Sequence, residues 1–173
     1  RQARRVGVAV NLRQSVLALS DVLLLAPQLA GTLKNNQTVV IRMNARANGT
    51  LAALNLPVLD IAALSGTRIR ARGRLTNVTD PDRIGLDLTI AEAVTRLADI
   101  QRVVPKNTLP DAIAIPPQIR LSGRVRGLLN DLNLQTKLAT TWGNATFDGR
   151  LRGFVANKVQ TYSGTLALAN FQA

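Results

Sequence analysis

The sequence predicts an all-β protein with one or two short helices, laid out as an elongated antiparallel sheet. Three observations predict it. Apolar and polar residues alternate with period two in stretch after stretch, turn-forming residues punctuate those stretches, and one amphipathic pattern is repeated within the chain. Segment 41–56 aligns without gaps to segment 119–134, with eight of sixteen positions identical, among them Ile41/Ile119, Arg46/Arg124, Gly49/Gly127 and Leu56/Leu134. Each copy precedes a second, glycine-led alternating run, 66–75 after the first and 143–151 after the second. Repeated amphipathic strands predict an extended stack of β units rather than a closed enzyme fold.

Alternation begins at Val6, Val8, Val10 and Leu12 and returns at Val39, Ile41, Met43, Ala45 and Ala47. It continues at Leu54 and Leu56, then at Ile69, Ala71, Gly73 and Leu75, then at Ile84, Leu86, Leu88 and Ile90. The second half gives Ile119–Val125, Leu132–Leu138, Ala145–Leu151 and Tyr162–Leu168 in the same rhythm. Turns are expected at 34–36, at Asn48-Gly49, at 79–82, at Asn130-Asp131 and at Asn157-Lys158. Short connections of this kind favour an antiparallel meander. Ser20 and the run to Pro27 predict a short capped helical turn. The spacing of Val94, Leu97, Ile100 or Gln101, and Val104 predicts a helix over 91–104, stopped by Pro105. The four prolines in 105–117 predict an extended crossover between approximate modules 5–91 and 119–173 of one continuous segment, 1–173. Gly73 and Gly149, inside strands, mark either a bend or a close approach by a ligand, the bend being favoured.

The composition excludes much chemistry. The chain has no His and no Cys, which removes imidazole and thiolate ligands, Ser-His and Cys-His nucleophile pairs and disulfides. Its ten carboxylates are scattered, and Asp80 with Asp82 falls in a turn sequence that lacks the further oxygen ligands of a calcium loop. No cofactor, metal or catalytic residue is expected, and the sequence is read as non-enzymatic. A net charge of +12 raises the possibility of an anionic polymer as partner. Only five aromatics are present, and the arginines alternate along strands (Arg68, Arg70, Arg72, Arg74; Arg120, Arg124, Arg126) instead of clustering, so a solvated sheet face is preferred and nucleic acid is not expected. The Asn-X-Ser/Thr sites at Asn36, Asn48, Asn77 and Asn144 fall where turns call for such residues. No apolar run approaches the roughly 18 residues of a bilayer span, and the start at Arg1 reads as a piece of a longer chain.

Several runs resemble the TamB-type translocation and assembly module proteins of the AsmA superfamily, in their Bacteroidetes-like version. They are Asp21-Val-Leu-Leu-Leu to Leu29, Leu64-Ser-Gly-Thr to Leu75, Asp80-Pro-Asp to Leu88, Val104-Pro-Lys to Pro110, Leu121-Ser-Gly-Arg to Gly127, Gly143-Asn-Ala-Thr to Leu151, and Leu166-Ala-Leu-Ala-Asn-Phe171. Their order carries the likeness, which covers roughly 15–173. It implies an internal or C-terminal segment of an inner-membrane-anchored periplasmic protein, with a long antiparallel sheet bent into a U-shaped apolar groove, the β-taco. It further implies phospholipid transport between inner and outer membrane, or, as an alternative, assembly of outer-membrane β-barrels by β-augmentation beside a BamA-like, TamA-type partner held by another part of the chain. Contact with both membranes would be through the full-length protein. The abundance of outer-face arginine departs from the lysine and acid expected of the family.

Amphipathic strands in one sheet expose a continuous apolar surface that has to be covered. Two faces can pack as a sandwich, or one sheet can curl around a guest; the small lining residues Ala45, Ala47, Ala71, Gly73, Gly123, Ala145 and Gly149 favour the curl. The residues expected to line the groove and touch acyl chains are Ile41, Met43, Ala45, Ile69, Ala71, Leu75, Leu86, Leu88, Ile90, Ile119, Leu121, Val125, Leu132, Leu134, Leu138, Phe147, Leu151, Leu166 and Leu168.

Overall fold

The structure is a computed structural model that describes residues 7–18, 20, 39–80, 82–103, 115–153 and 161–170. Nine strands form a single antiparallel sheet in sequence order: β1 (Gly7–Ala18), β2 (Val40–Thr50), β3 (Ala53–Ala63), β4 (Thr67–Thr76), β5 (Gly85–Arg96), β6 (Gln118–Leu128), β7 (Asp131–Thr140), β8 (Asn144–Arg152) and β9 (Thr161–Ala169). One helix, α1 (Leu97–Val103), follows β5. The all-β elongated sheet expected from the alternation is therefore the architecture found. The sheet is open and uncurled: each strand packs chiefly on its sheet neighbours and α1 packs on β5. No helix among the described residues is long and apolar enough to cross a membrane. The expected helical turn after Ser20, most of the Pro-rich crossover, and the turns at 34–36 and at Asn157-Lys158 lie outside the described residues.

The internal repeat is two copies of one hairpin. β2 and β3 turn through Leu51-Ala52, and β6 and β7 turn through Leu129-Asn130. The turn expected at Asn48-Gly49 is thus displaced. Both residues belong to β2, and Gly49 takes φ 129° just ahead of the turn, as its counterpart Gly127 does at 132°. A glycine read as the turn itself instead twists the strand into the turn. At this end of the sheet the connections are tied together, with the Asn77 and Val78 amides donating to the Ala52 and Leu51 carbonyls at 3.1 Å each and the Leu129 amide to the Ile84 carbonyl at 2.8 Å.

The helix expected over 91–104 is corrected. β5 runs on to Arg96, and only Leu97–Val103 is helical. The cause is a β-bulge: on β6, Gly123 and Leu121 are two residues apart, but their partners Ile90 and Ala93 are three apart. The bulge breaks the alternation after Ile90, so the strand reads as ended there, and Val94, still in β5, counts with the helical spacing of Leu97 and Ile100. Because β5 pairs with β6 from Gly85 to Arg96, no break in the sheet separates the two expected modules.

Candidate functional site

Residues directly opposite in an antiparallel ladder share a face, so the register alone sorts the side chains. One row runs Met43, Ile61, Ile69, Ala93, Leu121, Leu138, Ala145, Leu168 from β2 to β9. The next runs Ala45, Leu59, Ala71, Ile90, Gly123, Thr136, Phe147, Leu166. Below it lie Leu56, Gly73, Leu88, Val125, Leu134, Gly149, Gly164, and then Leu54, Leu75, Leu86, Gly127, Leu132, Leu151, Tyr162. Ile41 and Ile119 belong to a top row that includes Ala63 and Thr140. All nineteen expected lining residues are on this one face. The repeat is also kept row by row: Met43 and Leu121, like Ala45 and Gly123, fall in the same row, separated by β3, β4 and β5.

Not one charged side chain falls in these rows. Four of their residues are nearly enclosed (Ala45, Leu56, Leu132 and Ala145 at 6–8% exposure), and most of the others are half-buried. On β9 the face opens, with Leu166 and Leu168 about 60% exposed. Burial therefore comes from neighbouring side chains on the same face, and no second layer covers them among the described residues.

Sequence reasoning read Leu54 and Leu56 as strand residues but left them out of the lining, and it missed Leu59 and Ile61 altogether. The signal was hidden by a bulge at Pro57-Val58, where the register jumps from Leu56/Gly73 to Leu59/Ala71. The bulge changes the phase of the alternation, and proline is at home there because the ladder is already interrupted. Gly73 and Gly149 lie on the apolar face. At Gly73 φ is 154°, and a Cβ would meet the Asp87 carbonyl oxygen of β5. Close backbone approach of the next strand, rather than of a ligand, accounts for that glycine.

The opposite face holds the charges. Asp87 on β5 accepts from Arg124 and Arg126 on β6 at 3.0 and 2.9 Å. Glu92 takes Arg70 on one side and Arg120 on the other, and Asp131 takes Arg150 and Arg152. These guanidiniums hold the carboxylates below their ordinary pKa, Arg126 first for Asp87, Arg70 for Glu92 and Arg150 for Asp131. Two shallow hollows of about 490 Å³ each lie over β6 to β9, and their walls include Arg124, Arg126, Gln135, Asp148 and Arg150. In the first the arginines are already engaged by Asp87 and Asp131; the second has no arginine and is lined by Lys137 and Asp148.

One acid is different. Asp99 on α1 is 1% exposed, the only buried charged residue among those described. It accepts hydrogen bonds from the Ser65 hydroxyl (2.7 Å) and amide (3.3 Å), the Gly66 amide (2.8 Å) and the Thr67 hydroxyl (2.9 Å). Burial pushes its pKa up, but the bonds from Ser65, Thr67 and Gly66 together outweigh it and hold the carboxyl below its usual value. This site pins α1 to the β3–β4 turn and is fully satisfied internally. Among the described residues no three His, Cys, Asp or Glu side chains are grouped to hold a metal. Compared with models of known families, with curated proteins and with solved structures, the chain matches none.

Proposed function

We propose that this chain is a non-enzymatic segment of a periplasmic bridge of the TamB type, presenting its apolar sheet face to phospholipid acyl chains that move between inner and outer membrane. The observation that supports it most is the division of the sheet: an uncharged aliphatic face crossing every described strand, backed by a face of arginines and acids. Nine strands at about 4.8 Å spacing give this face a length of roughly 38 Å, enough for an acyl chain to lie along it. Each methylene withdrawn from water is worth about 0.8 kcal/mol, so a long acyl chain gains on the order of 10 kcal/mol from such a surface. Sliding along a row of Leu, Ile and Val breaks no directed bond, and movement needs no chemistry from the protein. The U-shaped groove of the resemblance is, in this reading, the sheet bent around its guest.

The test is lipid content. Purified from a bacterial envelope, the protein is expected to carry phospholipid measurable by mass spectrometry. Leu134→Asp or Leu88→Asp places an ion on the apolar face, at a cost of several kcal/mol to a bound chain, and is expected to lower that content about tenfold or more. Gln135→Asp, on the other face, is expected to leave it unchanged. Equal lipid in all the proteins, with sheet circular dichroism intact, sinks the proposal.

A further inference from the structure

Arginines and acids are divided unevenly over the charged face. On β6 and β8, Arg120, Arg124, Arg126, Arg150 and Arg152 each reach a carboxylate of β5 or β7. On β2 and β4 only Arg70 makes such a pair, with Glu92. Arg42, Arg46, Arg72 and Arg74 have no ion pair among the described residues, and all four are exposed. Arg74 lies opposite Asp87, but Arg124 and Arg126 hold that carboxylate. On this face of β2, β3 and β4 the register places a single acid, Asp60, opposite Asn44 and Arg70. The same region exposes aliphatic side chains. Val16 lies opposite Arg42, Val58 lies opposite Arg46, and Val40 shares their face two residues before Arg42. All three are exposed, and among the described residues only Leu128 is a further large apolar side chain exposed on that face.

We propose that the charged face of β1–β4 rests on the surface of an anionic lipid bilayer, its free guanidiniums on headgroup phosphates and its three valines in the boundary beneath them. A guanidinium fork matches a phosphate's oxygens, and these four have no carboxylate to give up first. The valines decide between anionic partners. An exposed aliphatic side chain gains by entering the headgroup and acyl boundary, whereas a hydrated soluble polyanion leaves it in water. A single-stranded nucleic acid needs stacking platforms, and both aromatics of the described strands, Phe147 and Tyr162, lie on the other face. Because the sheet is open and uncurled, it presents these groups along one broad surface, as a bilayer requires. The contact does not rest on the acyl-chain reading of the apolar face, which is the opposite one and stays free.

Flotation with vesicles tests it, using phosphatidylglycerol mixed with phosphatidylcholine against phosphatidylcholine alone. The protein is expected to float with the mixed vesicles at about 0.1 M salt and to be released at about 1 M, where charges are screened beyond roughly 3 Å. Arg72→Gln combined with Arg74→Gln is expected to weaken binding about 25-fold, at about fivefold for each arginine near the surface. Arg150→Gln with Arg152→Gln removes the same charge from arginines already paired with Asp131, and is expected to weaken binding less than about threefold. Val16→Ser leaves the charge unchanged and is expected to weaken binding about threefold or more. Leu134→Asp, on the apolar face, is expected to float as wild type does. Equal flotation with both kinds of vesicle overturns the proposal. So do equal losses from the two arginine pairs, which identify net charge alone. Undiminished binding by Val16→Ser overturns the bilayer in favour of a soluble polyanion. A loss in Leu134→Asp without one in the β4 pair moves the lipid contact to the apolar face and overturns it as well.

Discussion

The Ser65 hydroxyl lies 2.7 Å from Asp99 Oδ1, and that contact joins the only described helix to the β3–β4 turn. Leu64 precedes it with φ 57°, which swings the Ser65 and Gly66 amides toward the same carboxylate. A turn whose amides and hydroxyls converge in this way is an anion nest, here filled by the chain's own side chain.

Replacing that anion is the first prediction. Asp99→Asn puts an amide group against donors and is expected to cost about 2 kcal/mol, a fall in Tm of roughly 4–8 °C for a chain of this size. The folded carboxyl titrates below its ordinary value, so its contribution is present above the unfolded pKa of about 3.9 and is lost as pH falls through the lower folded value. The gap between wild type and variant is therefore constant at neutral pH and closes below about pH 4. Thermal melts of both proteins from neutral to acid pH measure it; a gap that widens in acid contradicts the assignment.

The second prediction concerns the mid-strand glycines. Gly73→Ala brings both a rarely adopted φ and a collision with the Asp87 carbonyl, so β4 and β5 have to part locally. Backbone strain of this type costs about 1–3 kcal/mol. Gly7→Ala meets nothing within 4 Å and is the matched control, expected to be neutral. Urea midpoints of the two variants give the comparison, and equal midpoints refute the close-approach account.

Much of this was legible in the sequence because the sheet has a single apolar face. Period two reports that face directly, and the match between 41–56 and 119–134 gave the spacing of equivalent hairpins before any register was known. What stayed hidden lies at bulges. Pro57 and Val58 shift the phase of β3, so Leu59 and Ile61 no longer read as one pattern with Leu54 and Leu56. Ala91 does the same to β5 and turned a strand end into an apparent helix. Asp99 escaped notice for another reason: its partners are more than thirty residues away, and nothing local distinguishes a buried acid from a solvated one.

A third prediction follows from the charged face. Asp87 is shared by Arg124 and Arg126, so Asp87→Asn leaves two guanidiniums without their common counter-ion. The groups are largely solvated, and the loss in Tm is expected to be small, about 1–3 °C at low ionic strength, and to shrink as salt is raised. Melting in low and high sodium chloride decides it. A loss that grows with salt contradicts an electrostatic origin.

The last prediction separates stability from binding on the apolar face. Leu132 is 7% exposed and Leu166 is 60% exposed, although the register places both on that face. Leu132→Ala removes packed surface beside Leu151 and Gly127 and is expected to cost about 2 kcal/mol, at the low end for buried leucines because no second layer closes over it among the described residues. Leu166→Ala removes a side chain that water already reaches, and its effect on stability is expected to stay within about 0.5 kcal/mol. If the face holds acyl chains, the ranking reverses for lipid retention, since the exposed leucine has surface left to give to a guest and the enclosed one does not. Chemical denaturation and lipid mass spectrometry on the same two variants read both quantities. Parallel losses in the two assays mean that lipid is held only by whatever holds the fold.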